Sequence, residues 1–407
     1  MKYIIQVIKN RFTFIIFLSL ILISCENSNS PTETNSENER LLKERIGNEI
    51  LPDAVTSYSW INEYYNGGNG KIEGWIIRSN DRFIPGYYYY GSGSSTGDEP
   101  LMMVINPSGT YGIFDRVGHF SDYHDNGAIA GWNIQSSDKY CSLSGSSNNT
   151  PYLFASNPSS HFAMLLHYDN YNSWWTTSWS NSGNGSFGGW NIGSQDIYVS
   201  GKFNPSDLNN QQILATNYSS HWAALLSYPS YNNWVSPWSN AGNGNLSGWN
   251  IQLGDRYFAA DFDGDGFDEL FCVRTNWAAI LKYNGSGWTW LWSNSGNGTI
   301  SGWTLNNNDK FAAGNLDNSS AKGELLVSNS STGHAAIFNL NSSSMVSIWW
   351  NGGNGYIGQH QLNIYDAHFI IRGVGLQYSN LFTLTLVNAR TQKFNNNIAQ
   401  DEDKTEE

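Results

Sequence analysis

Residues 292–305 read WSNSGNGTISGWTL, and near-copies of this phrase start at Trp179 (WSNSGNGSFGGWNI) and Trp238 (WSNAGNGNLSGWNI). Self-similarity at a fixed period constrains a fold more than any local propensity, because each copy must form the same small unit and stack on its neighbours. The marker tryptophans are Trp75, Trp132, Trp190, Trp249 and Trp303, with His360 in that place in a sixth copy. Six residues after each marker stands an aspartate: Asp81, Asp138, Asp196, Asp255, Asp309 and Asp366. An Asn-Gly step precedes each one, as at Asn184-Gly185 and Asn297-Gly298.

Between the markers the chain reads as short strands. After Asp255 come RYFAADF, DELFCVR, NWAAILKY and WTWLWSN, each rich in β-branched or aromatic residues and bounded by Gly, Asn, Asp or Ser. No segment between residues 57 and 393 keeps a helical period over three turns. Four short strands per unit of this length predict an all-β fold, a β-propeller of four-stranded blades. The segment SYSWINEYYNGGNG at residue 57 matches a fourth strand, while the C-terminal unit supplies only its first three. The expectation is therefore six blades, closed when the N-terminal strand pairs with the C-terminal blade and removes the open edges. Seven blades are the alternative. Asn-Gly suits a turn that needs positive φ. The Gly-Trp step is expected to place an indole in the packing between blades, and the recurrent aspartates to cap turns by accepting backbone N–H bonds.

The two ends have a different character. Lys2, Lys9 and Arg11 precede the apolar run FTFIIFLSLILI, too short to span a bilayer comfortably and shaped like a secretory signal. The ending LISC, residues 22–25, resembles a bacterial lipobox. That resemblance implies removal of residues 1–24 and acylation of Cys25, and several acyl chains would anchor the protein durably. Residues 25–56 are polar enough to serve as a tether, residues 57–393 form the propeller, and residues 394–407 are an acidic tail. The formal charge of −13, with no basic cluster, argues against nucleic acid as a partner. Beyond Cys25 only Cys141 and Cys272 remain, too few for a disulfide framework.

The fourth unit carries DFDGDGFDEL, residues 261–270. Carboxylates at alternate positions, separated by glycines, can face one point, and a hard cation such as Ca²⁺ takes six to eight oxygens. Asp261, Asp263, Asp265, the carbonyl of Phe267 and Glu269 are the candidate ligands. An EF-hand would need Glu at position 272, which is a cysteine inside a predicted strand. A propeller unit with this loop between its first two strands resembles the FG-GAP repeat family, known from integrin α-chain propellers and bacterial VCBS-type surface proteins. The resemblance covers residues 57–393 and implies one Ca²⁺ on the five residues just named. Only the fourth unit keeps the full loop. The counterparts GNLDNSSAKGELL and GKFNPSDLNNQQIL have lost its spacing.

No G-x-S-x-G, H-E-x-x-H or Gly-rich phosphate loop is present, nor the aspartate box of sialidase-like propellers. His161, His221 and His334, with Asn276 in the corresponding place, recur one per unit, too far apart to share a metal ion. The expectation is a protein without enzymatic activity. Aromatic residues make up 15% of the chain, beside many amide and hydroxyl side chains, as in WWTTSW, the run Tyr87–Tyr90 and SIWWN. Flat rings beside amides suit sugars. The predicted role is an exported lipoprotein, anchored on the surface or periplasmic face of a bacterial outer membrane, binding polysaccharide or a cell-surface protein. The rivals are a lyase or glycosidase, and a scaffold subunit of an outer-membrane complex.

Overall fold

The computed structural model divides the chain into residues 1–55 and a unit running from Thr56 to Glu407. It describes residues 57–397 of the second unit, apart from residues 66–70, 73–74, 87–100, 115–119, 145–150, 170–173, 208–210, 229–232, 317–321, 373–378 and 385–388. The predicted signal, tether and Cys25 lie outside the described residues, as do Tyr87–Tyr90 and residues 398–407 of the tail.

The described residues form an all-β propeller. Strand alternation and turn residues divide each repeat into four consecutive antiparallel strands, as in the fourth blade, Arg256–Ala260, Glu269–Arg274, Trp277–Tyr283 and Trp288–Ser293. The first (residues 82–124), second (139–180), third (196–239) and fifth (310–350) blades follow the same order. The innermost strand of each blade touches that of the next, from Arg82–Gly86 through Lys310–Gly314. Ala367–Arg372 then touches both Lys310–Gly314 and Arg82–Gly86, which closes the circuit.

The expectation of six blades, the last built from both ends of the chain, or of seven, needs correction. Among the described residues, continuous four-stranded blades number five. The remaining four-stranded sheet is a composite in which Ser57–Tyr65 pairs antiparallel with Ala389–Asn397, followed by Ser379–Leu384 and Ala367–Arg372. It belongs to the degenerate copy of the repeat, where His360 replaces the tryptophan. No further four-stranded sheet occurs among the described residues. Four strands also understate the unit, because each copy adds a separate two-stranded ribbon. In Ser186–Phe187 and Trp190–Asn191, Phe187 pairs with Trp190 across a turn formed by Gly188 and Gly189, at φ 55° and 84°. The Gly-Trp step is therefore the return strand of a hairpin rather than a bare crossing. Two-residue strands are too short to show alternation in sequence.

The core lies between successive blades. Trp132 packs with Met103, Ile105 and Ile113 of the first blade and with Leu153 and Leu166 of the second. Trp190, Trp249 and Trp303 join the equivalent clusters further round. All four indoles are buried, each burial contributing about 2–3 kcal/mol. The recurrent aspartates do more than cap turns. Asp138, fully buried, accepts from Trp132 Nε1 at 2.9 Å, the Gln135 amide at 2.8 Å, the Tyr140 hydroxyl at 2.8 Å and Asn157 Nδ2 at 2.6 Å. The same indole–carboxylate–amide arrangement joins Trp190, Asp196 and Asn217, and Trp303, Asp309 and Asn329. Each network ties a ribbon to the second strand of the blade that follows. In the degenerate copy His360 Nε2 lies 3.2 Å from Asp366 Oδ2, while Asp366 Oδ1 is buried without a hydrogen bond.

Candidate functional site

In the second, third and fifth blades the hairpin between the second and third strands places an asparagine directly opposite an aromatic residue. The register pairs Asn157 with Phe162, Asn217 with Trp222 and Asn329 with His334, while the first blade has Asn106 opposite Thr110. In the fourth blade Arg274 faces Trp277. Its guanidinium stacks 4.6 Å from the centroid of Trp249 and stands 3.5 Å from Asp255.

A second asparagine clasps the tip in the second to fifth blades. Asn240 Oδ1 accepts from the amides of Ala223 and Gly242, and its Nδ2 donates to the His221 carbonyl. Asn181, Asn294 and Asn351 repeat these bonds in the second, fourth and fifth blades. The glycine in the clasp makes room for the ring. A β-carbon on Gly242 would lie 2.7 Å from Trp222 Nε1, and one on Gly296 would lie 2.4 Å from Trp277 Cε2. These two indoles remain 44% and 41% exposed, although the blade around them is packed. A large exposed ring held by the backbone at a repeated position is a feature that folding alone does not require.

Around the second blade the tip opens into a cleft of about 240 Å³, lined by Trp132, Asn133, Gln135, Asn157, Ser160 and Phe162, with Gly131 at its edge. Phe162 stands 6.0 Å from Trp132, centroid to centroid. The wall is one aromatic face beside amide and hydroxyl groups.

The histidines read as a repeated set fall into two positions. The carbonyls that accept from the clasping asparagines belong to His161, His221, Asn276 and Gly333, so His334 is one residue further on, among the aromatic tips. His161 and His221 have φ of 57° and 62°, and Gly333 has 71°. Left-handed backbone is what these three share. The aromatic residue beside them was the repeated signal that sequence reasoning passed over.

The acidic loop joins the first two strands of the fourth blade. Gly264 and Gly266, at φ 82° and 91°, bend it so that the Asp261 carboxylate accepts from the amides of Gly264, Asp265 and Gly266 at 2.7–3.0 Å. Oxygens of Asp261, Asp263 and Asp265 come within 4.8 Å of one another. The ring of Phe267 lies under Lys202 Nζ, 4.8 Å away, in a contact between blades. Glu269 is fully buried and accepts from the Asp263 amide at 3.2 Å.

The point that these carboxylates face is held by Lys282 of the third strand. Its ammonium donates to Asp263 and to Asp265 (2.6 Å) and stands 3.2 Å from Glu269 Oε1. Burial pushes the Glu269 carboxyl up to about 8, assisted by Asp263 and opposed by Lys282. Although burial works against its charge, the hydrogen bonds that Lys282 donates to Asp263 and Asp265 hold it well above its ordinary value. Hard oxygens suit Ca²⁺, but an ammonium and a divalent ion cannot share one point. In this arrangement the residues do not fit the ion.

One hydrogen-bonded chain superficially resembles a catalytic one. His368 lies 2.7 Å from Ser328 Oγ and 3.1 Å from Thr383 Oγ1. All three are buried, and the chain links the innermost strand of the composite sheet to the fifth blade. Burial lowers the His368 imidazole to about 4, so it stays neutral at physiological pH.

No protein-family model matches the chain, and no curated protein does. Several solved structures are similar in fold. One is an Agrocybe aegerita lectin described in specific recognition of non-reducing terminal N-acetylglucosamine, 11% identical over 76% of each chain, with a TM-score of 0.46. Another is AofleA from Arthrobotrys oligospora, 8% identical over 83% of this chain and 86% of that one, at 0.45. A mutant Aleuria aurantia lectin in complex with alpha-methyl-L-fucoside is 11% identical over 75% and 91%, at 0.44. At these identities the likeness is one of fold alone.

Proposed function

We propose that the propeller is a carbohydrate-binding module that takes neutral sugars at its hairpin tips and performs no chemistry on them. The observation that carries this reading is the pair Trp222 and Trp277, exposed at one register position in neighbouring blades. An indole offers its face to the C–H side of a pyranose, while Ser220 or Arg274 reaches its hydroxyls. Phe162 with Asn157 and Ser160 makes a smaller version in the second blade. A chain with a formal charge of −13 favours neutral over acidic polymers.

Single tips of this kind bind weakly. Their repetition around one ring lets a polymer engage several at once, and the linked sites gain avidity without any new contact. On this reading the protein is exported and held at a bacterial outer membrane through Cys25, with residues 25–56 as the tether. The test is retention on a panel of neutral polysaccharides. The intact protein should be retained by at least one of them, and Trp222→Ala with Trp277→Ala should abolish retention while leaving the melting temperature within about 2 °C. Retention that survives loss of both rings removes the reading.

A further inference from the structure

The Asp-rich loop of the fourth blade is closed from inside the protein. We propose that the Lys282 ammonium is its resident cation, standing where the sequence resemblance implies Ca²⁺, so that the blade folds and stays folded without the metal.

Three observations support this. The first is convergence, since Asp263, Asp265 and Glu269 all meet at one Nζ. One ammonium donates to Asp263 and Asp265, with Glu269 Oε1 3.2 Å away, and Asp261 already accepts from three backbone amides, so carboxylates that would otherwise repel each other face a positive charge.

The second is the same position in another blade. Lys282 is the fifth residue after the tip aromatic Trp277, and Ser227 is the fifth after Trp222. Ser227 Oγ donates to Asp207, which belongs to the corresponding loop of the third blade, at 2.8 Å. The third strand thus reaches back to the acidic group of its own first loop in both blades, with a hydroxyl where there is one carboxylate and an ammonium where there are several.

The third concerns Glu269, the ligand that a calcium site would most need. Its counterparts are Gln212 and Glu324, which accept from the amides of Phe203 and Asn204, and of Leu316, at 2.6–3.0 Å. Glu269 makes the equivalent bond to Asp263. A neutral glutamine serves in the third blade, so this position braces the loop backbone and needs no ion to explain it.

The experiment is a set of thermal melts in chelator and in millimolar Ca²⁺ at matched ionic strength. Unmodified protein should melt at the same temperature in both. Lys282→Met should lose several degrees in chelator and recover them in Ca²⁺, because the uncovered carboxylates then need an added cation. Lys282→Arg should stay indifferent to Ca²⁺. A saturable rise in the melting temperature of the unmodified protein with Ca²⁺ would overturn the proposal, as would a Lys282→Met variant that melts like the parent in chelator. Should Lys282→Met fail to fold in either condition, the double variant with Asp263→Asn decides. Recovery of folding supports the proposal and continued failure overturns it.

Discussion

Exchanging the two polar partners at Asp138 and Asn157 tests the buried networks that join ribbons to blades. Asp138 accepts four hydrogen bonds, three of them from Trp132, Gln135 and Tyr140 and the fourth from Asn157 Nδ2 at 2.6 Å. Asp138→Asn must turn either its NH₂ toward Asn157, donor against donor, or its oxygen away from the other three. One buried donor loses its partner, at about 1–3 kcal/mol, and the remaining bonds lose their charge assistance. The single substitution should cost about 2–4 kcal/mol. Asn157→Asp places a second carboxylate against the first in a buried site, with a cost of the same order. Combining Asp138→Asn with Asn157→Asp restores the contact between them, because the new amide donates to the new carboxylate and its oxygen still accepts from the indole, while Gln135 and Ser137, which accept from Asn157 Nδ2 at 3.0 and 2.9 Å, turn a donor toward the new oxygen. The introduced carboxylate would also keep the bonds that Asn157 Oδ1 takes from the amides of Ser159 and Ser160, both at 2.9 Å. Urea unfolding of the four proteins should give a coupling energy of about 2 kcal/mol or more. Additivity within about 0.5 kcal/mol would refute the view that these groups act as one network.

Two further predictions concern single residues. Gly296→Ala should cost about 1–2 kcal/mol, since φ is 75° and the new β-carbon would meet the Trp277 ring. Its signature is a shifted tryptophan emission, and unchanged melting together with unchanged emission would refute it. His368 is lowered to about 4 by burial, so the unfolded chain binds a proton more readily than the folded one between about pH 6.5 and 4. Stability from this group is full above that window and falls with pH through it, by about 3 kcal/mol when complete. Urea midpoints at about pH 7.5 and about pH 4.5, on either side of most of that window, should separate more for the parent than for His368→Gln. An equal separation would contradict the assignment.

The parts of the structure that follow local periodicity could be read from the residues. Strand alternation in RYFAADF or NWAAILKY, and the Asn-Gly turns, lead directly to antiparallel blades and to indoles between them. The ribbons escaped because a two-residue strand such as Trp190–Asn191 has no period to detect. The partnership of Trp132 with Asp138 was hidden because the intervening turn brings the carboxylate back to the indole, so the aspartate read as a turn cap alone. At the hairpin tips the histidine of SSHFA and SSHWA drew attention by its chemistry, whereas the structure uses that position for left-handed backbone and displays the next residue. The candidate cation ligands were found as a group. Lys282, which meets them, lies on a strand whose own neighbours in sequence say nothing about the first loop.

The most direct measurement of the central claim is isothermal titration of a neutral oligosaccharide, chosen from the retained polysaccharide, into the intact protein and into Trp222→Ala, Trp277→Ala and the double variant. Repeated tips predict a stoichiometry above one that falls with each ring removed. A single site that keeps its stoichiometry and affinity without either ring would contradict the account.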